Sequence, residues 1–469
     1  MNTYSSSHAC IFLARRASTT TVCWMMIVAS GSLCAGRLMA QENPSTAETP
    51  TSLEAAPDSR SASITEVLPK TETPAAPVAN RPVTQDPIVA KIDLTVRLKG
   101  EVIDNIVKGD LLHVITEREK DYIIQTLSGK KSVIAKDSAV RLPDAVPVYD
   151  ELILQSPEEG RLYTLRASAH WANGSAESAL ADFDKAIEMG YQESHAYASR
   201  GLFHSATGDS TNAIADFSKA IEKDPKNEVP MMNRASVYMA LGEYQPAVAD
   251  YTQALEIRPE NPVLYSQRAV AHKLLGQLDK ALSDYDQAIS LVDKDVSAWL
   301  GRGFVKFQMG QHQAAVDDFS QVIQMAPQSA VAYNNRGYNY QMLKQFEKAL
   351  QDYQRAIELA PGYVLALQNR AWLLTVCEQQ TLRDSLAAME IAKSVNEISE
   401  YKDLSDLTLL AATYAAADDF ETAIGWQEKA VEIAEGEQRA TAQKILSLYQ
   451  DRKPIDPALL VAPLEPQSE

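Results

Sequence analysis

Cysteine is scarce in this sequence, and nearly all of it lies in one short segment. The 469 residues include four cysteines, and Cys10, Cys23 and Cys34 all fall within the first 40 residues. If that segment is removed, only Cys377 remains, so the rest of the chain cannot form an intramolecular disulfide. We therefore expect stability to come from helix packing, and Cys377 to be a buried or idle thiol.

Basic residues are also in the minority. The chain has 44 lysines and arginines against 62 aspartates and glutamates, which gives a formal net charge of −18. Because nucleic acids carry a negatively charged backbone, this balance disfavours nucleic-acid binding as a bulk property. We expect no nucleic-acid partner.

Motifs for catalysis and metal binding are missing as well. The sequence has no glycine-rich phosphate loop, no His-Glu-x-x-His and no paired-cysteine metal motif. Six of the seven histidines lie beyond the first 40 residues and are scattered without ligand spacing: His113, His170, His195, His204, His272 and His312. The sequence therefore predicts a protein that is not an enzyme and has no catalytic residue, no metal site and no cofactor.

One apolar stretch near the N-terminus has the features of an export signal. Arg15 and Arg16 precede the apolar residues 22–29, and Leu38-Met39-Ala40 offers a cleavage site. A membrane-spanning helix needs roughly 20 apolar residues, which is more than this stretch supplies. We predict that residues 1–40 are a signal peptide and that the chain is exported, to the periplasm or beyond the cell. The alternative is an uncleaved N-terminal anchor, which would then provide the membrane contact.

The main body of the sequence is a 34-residue unit, repeated six times from Gly160 to Tyr363 without insertion or deletion. In each copy a small residue is followed four residues later by an aromatic residue and three later by a second small residue, as at Ala349, Tyr353 and Ala356. A central glycine, replaced by Lys344 in the sixth copy, separates two segments with apolar residues at helical spacing. Each unit is therefore predicted to be a pair of amphipathic helices.

This pattern resembles the tetratricopeptide repeat (TPR) family in its small–aromatic–small spacing, its central glycine and its terminal proline, as at Pro225 and Pro259. The resemblance implies a mainly α fold, an α-solenoid of helix hairpins with about eight repeats over residues 143–450. The predicted parts are a half-repeat at 143–157, repeats at 160–193, 194–227, 228–261, 262–295, 296–329, 330–363, 364–403 and 404–437, and a capping helix at 438–450.

The segments before and after the repeats have a different composition. Residues 41–87 are rich in proline, alanine, serine and threonine, so we predict a disordered linker there, and a disordered tail at 451–469. Residues 88–142 contain five short β-rich runs between turn-like sequences, and their order resembles a bacterial SH3-like domain. We predict a small SH3-like β-barrel, which is either a spacer or a module that binds peptidoglycan in the cell envelope. Tyr122 is its only aromatic residue, so recognition of proline-rich peptides is not implied.

A charged pattern recurs with the repeats. An arginine precedes the small residue of each first helix, and an aspartate precedes the aromatic residue 16 positions later. We predict that these residues form a structural ladder of ion pairs between helices, in preference to a ligand site. The ladder consists of Arg166, Arg200, Arg234, Arg268, Arg302, Arg336 and Arg370 with Asp182, Asp216, Asp250, Asp284, Asp318 and Asp352.

The TPR resemblance also implies a concave groove lined by the first helices, which would bind a protein or peptide through apolar anchors. The candidate groove residues are Trp171, Leu202, Met232, Met239, Lys273, Leu300, Phe304, Phe307, Asn334, Tyr338 and Trp372. The alternative, that several of them complete the core between helices, stays open. The sequence thus predicts a non-enzymatic interaction scaffold that acts outside the cytoplasm, with cell-envelope binding through the SH3-like domain as the alternative.

Overall fold

A computed structural model describes residues 87–98, 101–125, 131–191, 193–456 and 459 of the chain. The predicted signal peptide, the predicted linker up to residue 86 and most of the predicted tail lie outside these residues. The described residues form a mainly helical protein that begins with a small β-sheet region. They fall into two compact units, one ending at Gln277 and the other beginning at Leu278.

The first unit begins with seven short strands. They are β1 (Ile88–Ala90), β2 (Leu94–Leu98), β3 (Glu101–Ile106), β4 (Leu111–Glu117), β5 (Asp121–Gln125), β6 (Lys131–Ala135) and β7 (Ala139–Arg141). An antiparallel sheet has the strand order β6-β5-β4-β1-β7, and β2 pairs with β3 in a separate hairpin.

The five β-rich runs of the sequence correspond to β2 and β4 to β7, whereas β1 and β3 were not anticipated. Strand β1 has only three residues and all of them are buried, so it shows no alternation between polar and apolar residues. Strand β3 contains Glu101, Asp104 and Asn105, which are residue types that strands usually avoid.

Eight α-helices complete the described part of the first unit. They are α1 (Val146–Gln155), α2 (Gly160–Ala172), α3 (Ala176–Glu188), α4 (Ser194–Ala206), α5 (Ser210–Lys223), α6 (Glu228–Ala240), α7 (Tyr244–Ile257) and α8 (Pro262–Leu274).

The described part of the second unit contains ten α-helices. They are α9 (Leu278–Leu291), α10 (Val296–Gln308), α11 (His312–Met325), α12 (Ala330–Met342), α13 (Phe346–Leu359), α14 (Val364–Val376), α15 (Ser385–Ile398), α16 (Leu404–Ala416), α17 (Phe420–Ile433) and α18 (Gly436–Gln450).

The β-sheet packs directly on the first helices. Val89 in β1 shares a core with Leu142, Tyr149 and Leu165. The hydroxyl of Tyr149 donates to the carbonyl of Gly109 at 3.2 Å. Gly109 has φ +89°, and a Cβ there would lie 2.6 Å from Leu152 Cδ1, so the turn before β4 needs glycine. The sheet therefore covers the N-terminal end of the helical array.

The recurring small and aromatic residues form the core of the repeats. Ala315 is fully buried, and Phe319 beside it is fully buried as well. Gly303 in α10 allows this helix to approach α11 closely, because a Cβ at position 303 would lie 2.9 Å from Phe319 Cε1. The small residue thus creates the space that the aromatic ring fills.

Consecutive helices pack against each other, and first helices also contact the first helix of the next repeat. In the first unit α2 contacts α4, and α4 contacts α6. In the second unit the same contacts link α10, α12, α14 and α16 in series. Each unit therefore has a surface built from adjacent first helices, which we call its first-helix surface.

The seventh repeat departs from the common spacing at Cys377. A 3-10 turn at Gln380–Leu382 is followed by α15, whose first turn is capped by Asp384. Cys377 is a free, buried thiol, as expected from the sequence, and burial raises its pKa. Its carbonyl accepts a hydrogen bond from Arg383 Nε at 2.8 Å, which ties the inserted residues to the end of α14.

Candidate functional site

The ladder arginines and aspartates meet as bidentate pairs. In five repeats the arginine Nε and Nη2 each donate to one carboxylate oxygen of the aspartate 16 residues later, at 2.7–2.9 Å. The pairs are Arg166–Asp182, Arg200–Asp216, Arg234–Asp250, Arg302–Asp318 and Arg336–Asp352. Each pair joins the first helix of a repeat to its second helix, as the spacing predicts.

The third nitrogen of the ladder arginines reaches the second helix of the preceding repeat. Nη1 of Arg166 donates to Asp150 at 2.6 Å, Nη1 of Arg302 donates to Asp286 at 2.6 Å, and Nη1 of Arg268 donates to Thr252 at 3.0 Å. Each of these acceptors lies 16 residues before its arginine. A single guanidinium thus holds three helices together.

The electrostatics of the ladder fit a structural role. The hydrogen bonds that Arg166 donates to Asp182 raise the pKa of Arg166, with burial acting in the opposite direction. Burial raises the pKa of Asp352, although the hydrogen bond from Arg336 opposes that change. Because the aspartates are buried and both of their oxygens are engaged, they have no face free for a ligand.

Asp284 is as buried as the other ladder aspartates, whereas the seventh repeat differs from the rest. Asp284 lies in α9 at the start of the second unit and is 5% exposed. Arg370 lies in α14, and the residue 16 positions later is Leu386, so the seventh repeat has no ladder aspartate.

The first-helix surface of the second unit carries an aromatic cluster, which we define as Phe304, Phe307 and Tyr338. The rings of Phe304 and Phe307 meet edge to face with centroids 5.7 Å apart, and Phe307 meets Tyr338 at 5.4 Å with an interplanar angle of 86°. All three side chains are only half-buried. They come from two adjacent first helices, so the cluster extends across a repeat boundary.

The groove candidates of the first unit are less concentrated. Trp171, Met232, Met239 and Lys273 are half-buried, as is Trp372 in the second unit. Trp171 meets Phe203 edge to face at 5.9 Å, so part of its ring belongs to the core. The described residues of this unit show no aromatic cluster of comparable exposure on its first helices.

Three groove candidates are not surface residues. Leu202, Leu300 and Asn334 are only 4–6% exposed. Leu202 packs with Phe217 and Val237, Leu300 packs with Phe319, and Asn334 accepts a hydrogen bond from Asn369 at 2.9 Å. These side chains complete the core between helices, so their assignment to a groove was wrong.

The structure adds a buried polar group that the sequence did not indicate. Asp406 in α16 is 2% exposed and accepts a hydrogen bond from Gln368 Nε2 at 2.6 Å. Burial raises the pKa of Asp406 to about 6, while the Gln368 hydrogen bond opposes this shift. Gln368 and Asp406 are 38 residues apart on different repeats, so no local motif could have linked them.

A second perturbed group lies near the N-terminal end of the array. His195 contacts the hydroxyl of Tyr191 through Nε2, and its other ring nitrogen lies 3.3 Å from Glu193. Burial lowers the pKa of His195 to about 4, with a further contribution from Arg161. The imidazole is therefore neutral near pH 7 and packs against its neighbours.

Comparison with family models assigns the repeats. Models described as tetratricopeptide repeat match residues 139–193, 164–228, 263–292, 296–329 and 330–363, and a model described as TPR repeat matches 235–276. The chain contains tetratricopeptide repeats. The matched residues end at 363, whereas the TPR-like helix pairs of the structure continue through α17.

Solved structures of other TPR proteins are similar to parts of the chain. The MamA protein is 21% identical over 36% of this chain and 92% of its own, with a TM-score of 0.35. YrrB, described as a TPR protein with an unusual peptide-binding site, is 28% identical over 39% and 95%, with a TM-score of 0.36. A tetratricopeptide repeat protein from Parabacteroides merdae is 20% identical over 55% and 98%, with a TM-score of 0.43. No curated protein matches the chain.

Within the described ranges, every helix is too short or too polar to cross a lipid bilayer.

Proposed function

We propose that this chain is an exported, non-enzymatic scaffold that binds a protein or peptide on the first-helix surface of its second unit. Tetratricopeptide repeats support an interaction role, and the aromatic cluster of Phe304, Phe307 and Tyr338 is the observation that carries the proposal. Aromatic side chains bury a large area at little entropic cost, which makes them frequent anchors in protein interfaces.

The chemistry of this surface favours an apolar ligand. The first helices that follow α10 carry the uncharged residues Asn335, Gln341 and Trp372, and the charge of Lys306, between Phe304 and Phe307, is paired with Asp318 at 2.8 Å. The chain as a whole has a net charge of −18, so a neutral surface of this kind stands out from its surroundings. An extended or helical peptide with one or two apolar side chains matches it.

Photo-crosslinking tests this proposal in the full-length chain. A benzoyl-phenylalanine at exposed Gln308, beside Phe307, should crosslink to a partner in an extracytoplasmic extract, and mass spectrometry should identify that partner. The double variant Phe304→Ala/Tyr338→Ala should abolish the crosslink without unfolding the chain. Phe307 is left in place because it also packs against the core.

The matched control removes apolar surface from a second helix. Leu291→Ala in α9 deletes a side chain that is 41% exposed and lies on the last turn of a second helix. It should leave the crosslink unchanged. Equal crosslinking in the double variant and in the control would refute the aromatic cluster as the binding surface.

Export is part of the proposal and has a separate test. The predicted cleavage after Ala40 would yield a mature chain that begins at Gln41. The mass of the chain recovered from a periplasmic or secreted fraction should correspond to residues 41–469. Recovery of the uncleaved chain in the membrane fraction would instead support the anchor.

We infer a supporting role for the β-sheet region, whose SH3-like identity stays a prediction. Its single aromatic residue, Tyr122, is 6% exposed and packs with Ile124 in the sheet core, so it offers no face for stacking on a sugar. The core shared by Val89, Tyr149 and Leu165 favours a cap for the helical array over an independent envelope-binding module.

A further inference from the structure

Arg370 is a ladder arginine without a ladder aspartate. This holds whether the aspartate position is counted from the arginine or from the small residue of the second helix. Sixteen residues later the sequence has Leu386, where the other repeats have aspartate. In the sixth repeat the ladder aspartate, Asp352, lies three residues after the buried Ala349 of the second helix. The equivalent position in the seventh repeat lies three residues after Ala388. That position is Ile391. Neither leucine nor isoleucine accepts a hydrogen bond.

The other supports of the ladder arginines are replaced as well. Sixteen residues before Arg370 is Gln354, whose amide nitrogen donates to Glu358 at 3.2 Å. Most ladder arginines also lie over the aromatic ring of the residue three positions earlier. Arg302 Cζ, for example, lies 4.5 Å from the ring centroid of Trp299. Before Arg370 that residue is Leu367. Among the described residues, Arg370 therefore makes none of the three contacts that hold the other ladder arginines.

The result is an incompletely satisfied cation. Nε of Arg370 is buried, and no hydrogen-bond acceptor for it lies among the described residues. Burial lowers the pKa of Arg370, with Asp384 opposing, whereas the pKa of Arg336 is raised by its aspartate. Arginine stays protonated in proteins, so the charge persists and has no bidentate carboxylate.

The ladder geometry shows which edge of the guanidinium a ligand would contact. Arg370 is half-buried like the other ladder arginines, but its Nε is covered. In the fifth repeat Nη1 of Arg302 reaches Asp286, whose side chain is 52% exposed, whereas Nη2 reaches the buried Asp318, so Nη1 is the nitrogen that faces the surface of the molecule. Arg370 also lacks the aspartate that would hold Nη2, so the edge formed by Nη1 and Nη2 (the Nη edge) is the part of its guanidinium that remains for an external partner.

We propose that the Nη edge of Arg370 binds the carboxylate of an acidic side chain from a partner protein. A planar carboxylate matches the guanidinium fork and supplies the charge that the seventh repeat lacks. Leu386, which is 71% exposed and lies two residues after Asp384, offers an apolar contact at the same helix start. A glutamate followed by an apolar residue therefore fits the site.

This site is separate from the aromatic cluster and does not depend on it. Residues two positions apart on a helix point in nearly opposite directions, so Arg370 and the first-helix residue Trp372 lie on different sides of α14. A partner that uses both would wrap around the seventh repeat. A partner that uses one is unaffected by loss of the other.

Arginine-specific modification of the full-length chain tests the proposal. Phenylglyoxal should modify Arg370 about tenfold faster than Arg336, since Arg336 is held by Asp352. The blocked peptide acetyl-Ala-Glu-Leu-amide, at millimolar concentration, should slow modification of Arg370. The matched peptide with glutamine in place of glutamate should not. Modification at each arginine is measured by peptide mass spectrometry.

Restoring the missing partner provides a second arm. Ile391→Asp places a carboxylate at the ladder position, and Leu386→Asp does so at an exposed position that tolerates charge. In at least one of these variants Arg370 should react as slowly as Arg336, and the glutamate peptide should lose its effect. Equal reactivity of Arg370 and Arg336 in the unmodified sequence, or equal protection by the two peptides, would overturn the proposal.

Discussion

Arg336 and Asp352 form a two-point contact across the helix hairpin of the sixth repeat. Arg336 Nε lies 2.7 Å from Asp352 Oδ2, and Nη2 lies 2.8 Å from Oδ1. Asp352 is 6% exposed, so removing the arginine leaves a buried carboxylate without a counter-charge. Each charge offsets the desolvation cost of burying the other, so loss of either partner should destabilise the fold.

The first prediction is a double-mutant cycle on this pair. Arg336→Met and Asp352→Ala should each lower the free energy of unfolding by about 3 kcal/mol, and the double variant should lose much less than the sum. Urea unfolding followed by circular dichroism measures these changes. The surface pair Arg355–Glu358, three residues apart and 3.0 Å between charged atoms, is the control and should show no measurable coupling. Additive losses at Arg336 and Asp352 would contradict a structural ladder.

A second prediction concerns the same substitution at two glycines. Gly303→Ala should destabilise the second unit by roughly 1–2 kcal/mol, because the new methyl group would lie 2.9 Å from the ring of Phe319. Gly425→Ala in α17 meets no atom within 4 Å, so it should stabilise the helix by about 0.5–1 kcal/mol. Thermal unfolding of the two variants should therefore shift in opposite directions, and a shift in the same direction would argue against the close approach at Gly303.

The helix pairs of the repeats could be predicted from the sequence because the same close contact between two helices recurs in every repeat. A small residue such as Ala349 and an aromatic residue such as Tyr353 must occur at one spacing wherever two helices approach closely, and both are fully buried. The arginine–aspartate spacing is visible for the same reason. Periodicity locates such residues without any knowledge of long-range contacts.

Exposure on the first-helix surface was harder to predict, because it depends on neighbours from other repeats. Leu202 and Phe304 hold the same position in the second and fifth repeats. Leu202 packs against Val237 and is only 6% exposed, whereas Phe304 is half-buried. The repeat pattern assigns both residues to the same face of a helix, but the packing around each depends on residues far away in sequence. The contact between Gln368 and Asp406 escaped prediction for that reason too.

The third prediction addresses the one central position in the six copies that lacks glycine. Lys344 has φ +58°, where its five counterparts are glycines with φ between +70° and +86°. A side chain in this conformation costs roughly 1 kcal/mol, so Lys344→Gly should raise the free energy of unfolding by a comparable amount. The exposed ion pair of Lys344 with Glu378, at 2.8 Å, offsets little of this gain. Glu378→Gln is the control for the lost ion pair and should be nearly neutral, whereas a destabilised Lys344→Gly variant would contradict the expectation.

The last prediction uses pH to test the buried carboxyl group of Asp406. Its pKa is raised to about 6 by burial, and Asp403, the N-cap residue of the same helix, acts in the same direction. An unfolded aspartate has a pKa of about 3.9, so between pH 4 and 6 the folded chain binds more protons than the unfolded chain. Stability should therefore fall as the pH rises through this interval and remain lower above pH 6.

Asp406→Asn removes the buried charge and keeps an oxygen that can accept the hydrogen bond from Gln368. It should raise the free energy of unfolding by about 1–3 kcal/mol at pH 7.5 and change it little at pH 4, as measured by urea unfolding at the two pH values. Asp419→Asn is the matched control, because Asp419 is an exposed helix cap and asparagine caps equally well. A gain at pH 7.5 that persists at pH 4 would show that Asp406 acts through packing, and not through its charge.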